Sequence, residues 1–429
     1  MKFYVFNPEH DMALASFSPH YKAPTEIIRM RNDLSGLSCW YAEEGDRVLV
    51  PNEAYRDAFQ SQCLASGIVP QGTCITEGEL ITASASVDDS SFSCCPWGWD
   101  PAFVSGLKKE GVDCCLLPTS FELEQIRILS GRQQCVQVLA DFAGLSGVCG
   151  MAQICPSLEA VRTFLETHDD VILKAPWSGS GRGLVRTSLS TWTPNLEGWV
   201  GRILRTQGAI MAEPIYNKVI DFAMEFHMSA EHQLSFAGYS LFETDSHGNY
   251  KENVLTSNEC ILKKLTAYVS MDLLEKIKKQ LLISLKKILG ADYVGYFGVD
   301  MMVCKSPHTS LTNSNSQQMD SCSFAADDER QHVGSGPFVV HPCVEINLRM
   351  NMGVVARLLY DRYVSPRSEG SYVVEHYMAD GEAEAFDRRM RTAHPLRVGH
   401  GKIVAGYFPL TPVCPTTRYQ CYILCHTLV

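Results

Sequence analysis

Apolar and polar positions along the first third of the chain switch between two periods. Lys2-Phe-Tyr-Val-Phe-Asn7 and Arg47-Val-Leu-Val50 are short apolar runs that predict strands, and Val112 to Leu117 predicts a further buried strand. Between them, Thr25-Glu-Ile-Ile-Arg-Met30 predicts the start of a capped helix, Asn52 to Ala65 a helix, and Pro101 to Glu110 a short helix. Strands alternating with helices predict an α/β domain with a mostly parallel sheet. Residues 71–93 are rich in Ser, Thr and Asp and carry little pattern.

The pattern changes after Leu117. Thr119-Ser-Phe-Glu122 has the form of a capping box opening a helix. A second helix ends near Gly144, and Ser157 caps a third with Leu158, Val161, Phe164 and Leu165 on one face. Val171-Ile-Leu-Lys174, a glycine-serine loop and Leu184-Val-Arg-Thr187 then read as strand, loop, strand. Val200 to Leu204 reads as helical, and Ala209-Ile-Met-Ala-Glu-Pro-Ile-Tyr216 as a strand running into a bend. Asp221 to Ser229 and Leu234 to Phe242 predict strands with alternating faces, and Ser246-His-Gly-Asn249 a turn. Ser270 caps an amphipathic helix with Leu274, Ile277, Leu281, Leu285 and Ile288, ended by Gly290. Two strands, Val294 to Val303 and Phe338 to Asn347, flank a polar stretch at 305–337 that reads as a solvated loop, and Met352 to Tyr363 predicts a helix. Residues 366–429 show no clear fold of their own and are expected to pack back over the rest.

Composition narrows the classes. At 429 residues the chain holds two or three domains, and 45% hydrophobic with 20% charged residues is ordinary for a globular protein. A net charge of −11 argues against nucleic acid or an anionic membrane as partner, and no apolar run reaches membrane-spanning length. The chain start turns polar too soon for a signal peptide. The 17 cysteines are odd in number, scattered and without a C-x-x-C pair, which fits reduced thiols in a cytoplasmic protein rather than a disulfide framework or a zinc site.

Candidate chemistry starts at the glycine loop. Gly179, Gly181 and Gly183 allow a close backbone approach to an anion, Ser180 adds a hydroxyl, and Lys174 and Arg182 add positive charge. The string is not a P-loop, which needs Gly-Lys-Ser or Gly-Lys-Thr after its spacer. It is not a dinucleotide fingerprint, because β-type residues follow the glycines. It is not a kinase loop, because Lys174 precedes it and neither H-R-D nor D-F-G occurs. Downstream, Glu345 and Asn347 lie two apart on one strand and share a face, and Asp300 lies near the end of the strand before it. Paired as a hairpin, these strands bring three hard oxygen ligands to one face, suited to Mg²⁺ bound between carboxylates and phosphates. His10, Asp11, Trp97, Trp99 and His227 are weaker candidates; for Asp11, capping of the next helix is the favoured reading.

The order of these pieces resembles the ATP-grasp superfamily. The resemblance rests on Lys174 with Gly179-Ser-Gly-Arg-Gly183, on Ala212-Glu-Pro-Ile215, and on Gly298-Val-Asp300 with Glu345-Ile-Asn-Leu-Arg349. It implies a fold of two α+β subdomains clamping ATP, preceded by a Rossmann-like α/β domain. The implied division is 1–118 for that first domain, 119–205 and 206–365 for the two subdomains, and 366–429 for a carboxy-terminal extension. It implies that Lys174 and Arg132 contact phosphates under the lid formed by Gly179, Ser180, Gly181 and Gly183. Glu213 and Ile215 would meet adenine and Asp221 the ribose; Asp300, Glu345 and Asn347 would hold Mg²⁺, with Mn²⁺ as the alternative. Lys174, Arg182 and Arg349 would face the transferring phosphate. The implied activity is ATP-dependent joining of a small-molecule carboxylate to an amine or similar nucleophile through an acyl phosphate. The alternatives are a small-molecule kinase of the same fold and a catalytically silent ATP-binding protein. A homodimer is an open expectation. One departure stands out: Gly298 occupies a position where several ligases of the superfamily carry arginine.

Overall fold

The computed structural model describes residues 1–79, 93–179, 183–244, 250–306 and 337–428. The expectations for Ser180, Gly181, Arg182, the turn at 246–249 and nearly all of the 305–337 stretch lie outside the described residues.

The first domain has the expected parallel sheet. Strands β1 (Lys2–Val5), β2 (Arg47–Leu49), β3 (Thr73–Ile75) and β4 (Ser93–Pro96) lie in the order β3-β2-β1-β4, every pair parallel. The expected strand at Val112 to Leu117 is absent; a 3-10 turn, Cys114–Leu116, stands there. The Asp113 side chain accepts from the Cys115 amide and sets that turn, so a local side-chain bond competes with strand pairing. The edge places go instead to β3, inside the stretch with little pattern, and to β4, which begins where that stretch ends. Helix Thr25–Leu34 forms but has no side-chain cap: Pro24 stands before it, and Thr25 is its first residue.

The small second sheet is antiparallel, with β5 (Gln153–Cys155), β6 (Val171–Lys174), β7 (Leu184–Thr187) and β8 (Ile210–Pro214) in the order β5-β8-β6-β7. Its buried face packs Val171, Leu173, Ile210 and Ala212 against helices Leu158–Thr167 and Pro194–Gln207. The capping box at Thr119 and Glu122 is present, as is the Ser157 cap.

The third sheet organises the molecule. Strands β9 (Lys218–Met228), β10 (Leu234–Thr244), β11 (Tyr250–Leu255), β12 (Gly295–Lys305), β13 (Phe338–Asn347), β14 (Ser368–His376), β15 (Arg397–Gly399), β16 (Lys402–Pro409) and β17 (Tyr419–Thr427) run β13-β12-β9-β10-β11-β14-β17-β16-β15, all antiparallel. One face is covered by helix Met271–Leu289, capped by Ser270, whose Leu274, Ile277, Leu281 and Leu285 meet Phe222, Met224, Phe226 and Phe297. The other carries helix Met352–Tyr363 and the first domain.

Two features depart from expectation and shape the site. Residues 366–429 do not merely pack back: β14 to β17 extend the large sheet, and Trp40 of the first domain makes edge contacts with Tyr363 and Phe408. The indole N–H of Trp40 donates to the Leu410 carbonyl at 2.7 Å. First domain, helix and extension therefore share one core. On β13 the register slips: Asp300 pairs with Glu345 but Met302 with His341, so β13 carries extra residues around Pro342. Proline has no N–H for the ladder, which places the bulge there.

Candidate active site

Asp300 and Glu345 face each other across β12 and β13, with Gly298 opposite Asn347. The Asn347 side-chain amide donates to Asp300 at 3.0 Å. The three expected metal ligands therefore come together. They form two carboxylates and an amide; among the described residues no group of three or more His, Cys, Asp or Glu side chains converges to hold a metal. Asp300 is held well above the usual carboxylate range, first by burial and then by repulsion from Glu345 and Glu225. A bound cation would relieve that repulsion, and hard oxygen donors suit Mg²⁺.

Two arginines flank the carboxylates. Arg132 is buried and donates to Glu345 at 2.7 Å, to the Ala175 carbonyl at 2.7 Å and to the Ser178 hydroxyl at 2.7 Å. It thus ties the start of the glycine loop to β13. Arg349 makes a two-pronged contact with Asp11, at 2.8 and 2.7 Å. Burial alone would raise the Asp11 carboxyl, but the Arg349 charge and hydrogen bonds bring it below its ordinary value. The favoured reading of Asp11 is corrected here. It lies inside helix His10–Ser16, whose preceding Glu9 makes no side-chain cap, and it serves as the partner of Arg349. Gly179 rests against it: a Cβ there would meet Asp11 Oδ2 at 2.9 Å.

These groups line a cavity of about 420 Å³ between the first domain, the large sheet and the extension. Asp11, Ser178, Gly179, Asp300, Glu345, Asn347 and Arg349 line it, as does Trp97. Lys174, Glu213, Ile215 and Asp221 do not. Lys174 and Glu213 instead form a buried ion pair at 2.6 Å on the small sheet, and Lys174 also reaches the Val344 carbonyl at 3.4 Å. His341 lies beside them, fully buried, with neither ring nitrogen hydrogen-bonded among the described residues. Burial, and then the Lys174 charge, lower its pKa to about 3. Ile215 is 39% exposed, so its side chain is free to meet a ligand. Asp221 is engaged by Lys218 and accepts from the Thr244 hydroxyl at 3.1 Å. Gly183 has φ +75°, and its carbonyl accepts from the Ala175 amide at 2.9 Å, closing the base of the loop.

The sequence is matched by no family model and by no curated protein. Solved structures are similar at a distance. N5-carboxyaminoimidazole synthetase from Staphylococcus aureus, complexed with ADP, shares 13% identity over 99% of this chain and 92% of that one, with a TM-score of 0.45. Biotin carboxylase from Campylobacter jejuni shares 13% over 100% and 88%, at 0.47. N5-carboxyaminoimidazole ribonucleotide synthetase from Thermus thermophilus shares 12% over 99% and 93%, at 0.46. The chain's own topology is a four-stranded parallel α/β sheet followed by a four-stranded and a nine-stranded antiparallel sheet, each with helices against it.

Of the other early candidates, His10 is buried with Nδ1 3.8 Å from Asp100, in space left by Gly98, whose Cβ would meet the ring at 2.4 Å. Trp99 packs on Phe103 and His227 on Tyr296, both outside the cavity lining. Sequence reasoning missed Glu225. It is 1% exposed, lines the cavity, and accepts from Ser240 at 2.7 Å and Asn351 at 3.1 Å. The signal was present: one glutamate in the apolar run Phe222-Ala-Met-Glu-Phe226. Among the described residues no membrane-length apolar helix occurs, and every cysteine is a free thiol.

Proposed function

We propose that this chain is an ATP-grasp enzyme using Mg²⁺ and ATP to join a small-molecule carboxylate to an amine or similar nucleophile. The observation that carries the reading is the cavity wall where Asp300 and Glu345 stand opposite each other, flanked by Arg132 and Arg349. Asp300, Glu345 and Asn347 would hold Mg²⁺, which supplies neutralisation of phosphate charge when bound. A substrate carboxylate oxygen attacks the terminal phosphorus of ATP, giving an acyl phosphate and ADP. The nucleophile then attacks the acyl carbon and phosphate leaves.

The protein's share is positioning and charge stabilisation rather than covalent catalysis. Arg132 already bridges Glu345 and the loop at Ser178, so it would set the loop against the phosphates. Arg349, released in part from Asp11, would face the transferring group. Lys174 and Glu213 lie outside the cavity lining on the small-sheet side; the buried pair would have to open for Lys174 to meet a phosphate, and Ile215 and Asp221 would lie farther along the nucleotide. Ser180, Gly181 and Arg182 complete the proposed lid. ADP and phosphate release measured against candidate acids, with and without amines, tests the reading. A ligase turns over only with both substrates, a kinase with one, and a silent binder with neither.

A further inference from the structure

The large cavity contains a second built feature beside the metal residues. Glu225 sits in β9 directly opposite Gly298 of β12 and beside Gly353, the second residue of helix Met352–Tyr363. A Cβ on Gly298 would lie 2.4 Å from Glu225 Oε2, and one on Gly353 would lie 2.2 Å from Oε1. Neither glycine has a positive φ in this fold, so the requirement is space rather than backbone conformation. Two glycines from separate elements thus clear room for one carboxylate. Ser240 donates to one oxygen and Asn351 to the other, which fixes the group and leaves each oxygen a further lone pair. Among the described residues no Lys, Arg or His forms an ion pair with it. A buried carboxylate without a cation costs stability, and this one lines open space.

The surroundings give that space a charge preference. Asp11, Glu225, Asp300, Glu345 and Glu375 line the cavity, whereas Arg349 is the one lysine or arginine among the described lining residues and is held by Asp11. Apolar and aromatic side chains, among them Phe6, Trp97, Phe242, Met352 and Tyr419, share the rest of the wall with polar ones such as Asn253 and His376. On β12, Gly298 and Asp300 share a face about 7 Å apart, so a ligand held at Glu225 lies beside the metal residues. The space above Gly298 is taken by the Glu225 carboxylate.

We propose that Glu225 is the anchor for the nitrogen of the second substrate, a primary amine carried on an apolar or aromatic body. This deepens the ligase reading and rests on it for the amine's fate, though not for its binding. Glu225 acts as the specificity determinant: it accepts N–H donors from the amine, while Gly298 and Gly353 keep the seat open. Carboxylates are repelled from the same seat.

The test uses the full chain and three matched probes: 2-phenylethylamine, 2-phenylethanol and 3-phenylpropionate. Binding is measured by ligand-observed NMR without nucleotide and again with ADP and Mg²⁺. The amine is expected to bind at least about tenfold tighter than the alcohol, with the propionate weaker still. Glu225→Gln should lower amine affinity at least about tenfold while leaving the alcohol unchanged. Gly298→Ala, which displaces the carboxylate without removing it, should also weaken the amine. Propionate binding as well as the amine, or unchanged amine affinity in both variants, overturns the proposal; should Glu225→Gln fail to fold, Gly298→Ala and the wild-type probe order decide. A melting shift with ATP and Mg²⁺ but no amine preference sinks this proposal alone. Amine preference without any nucleotide shift sinks the ligase reading alone.

Discussion

Two groups of charged side chains lie on either side of β13, and they are built in opposite ways. On the small-sheet side, Lys174 and Glu213 form a one-to-one pair at 2.6 Å, both about 5% exposed. On the cavity side, the lining acids Asp11, Glu225, Asp300, Glu345 and Glu375 outnumber Arg349 and Arg132, which reaches Glu345 from outside the lining, by five to two. The first group is balanced and closed. The second is in excess of acid and faces open space, and burial together with neighbouring carboxylates pushes Asp300 well up. A structural ion pair minimises its own energy. A binding site keeps charge unmatched until its ligand arrives.

Substitutions should separate the two kinds. The largest effect is expected at Glu345→Gln, which removes a proposed metal ligand while keeping its shape. ATP turnover should fall by about 10³-fold or more, with the melting temperature moving by only a few degrees. Turnover within tenfold of wild type would remove Glu345 from the site. In the closed pair, Lys174→Met should destabilise the fold by about 3–5 kcal/mol, because it strands the Glu213 charge in the interior. Denaturant unfolding of Lys174→Met and of the double change with Glu213→Leu checks this; a double variant no better than the single would show that the pair is not balanced.

The open group should respond with the other sign. Burial raises the Glu225 carboxyl to about 7 from an ordinary 4.5. The folded state then binds more protons than the unfolded state between these values, so Glu225 lowers stability as pH rises through that window. Glu225→Gln should therefore stabilise the ligand-free protein above pH 7, by up to about 3 kcal/mol, and the gain should fade towards pH 4.5. A gain independent of pH would contradict the assignment. His341 gives the smallest effect. Its pKa is lowered to about 3, so the unfolded state binds the extra proton and stability falls as pH drops from about 6.5. His341→Leu should be within about 1 kcal/mol of wild type at pH 7, and progressively more stable than wild type in acid.

The same contrast explains what could be read from the residues in order. Local chemistry was legible: the Thr119–Glu122 capping box, the Ser157 and Ser270 caps, and the alternation that places Asp300 against Glu345. So was the order of Lys174, glycine loop and Glu-x-Asn. What depended on distant partners was not. Nothing near Asp11 in sequence announces Arg349, which is 338 residues away. The strand content of 366–429 was obscured because β14 to β17 are completed by a sheet begun at residue 218. Val112 to Leu117 misled because apolar content alone does not outweigh the Asp113 turn. Lys174 was expected in the nucleotide cleft and is found closed on Glu213, a pairing set by the β6–β8 register rather than by either local motif.

The claim that the acid-rich cavity awaits a metal–nucleotide is tested most directly by melting the wild-type chain with millimolar ATP, with and without Mg²⁺. A ligand selective for the folded state must raise the melting temperature. The account predicts a rise of several degrees with ATP and Mg²⁺ together, a smaller one or none with either alone, and loss of the joint effect in Glu345→Gln. An unchanged melting temperature with both present would contradict it.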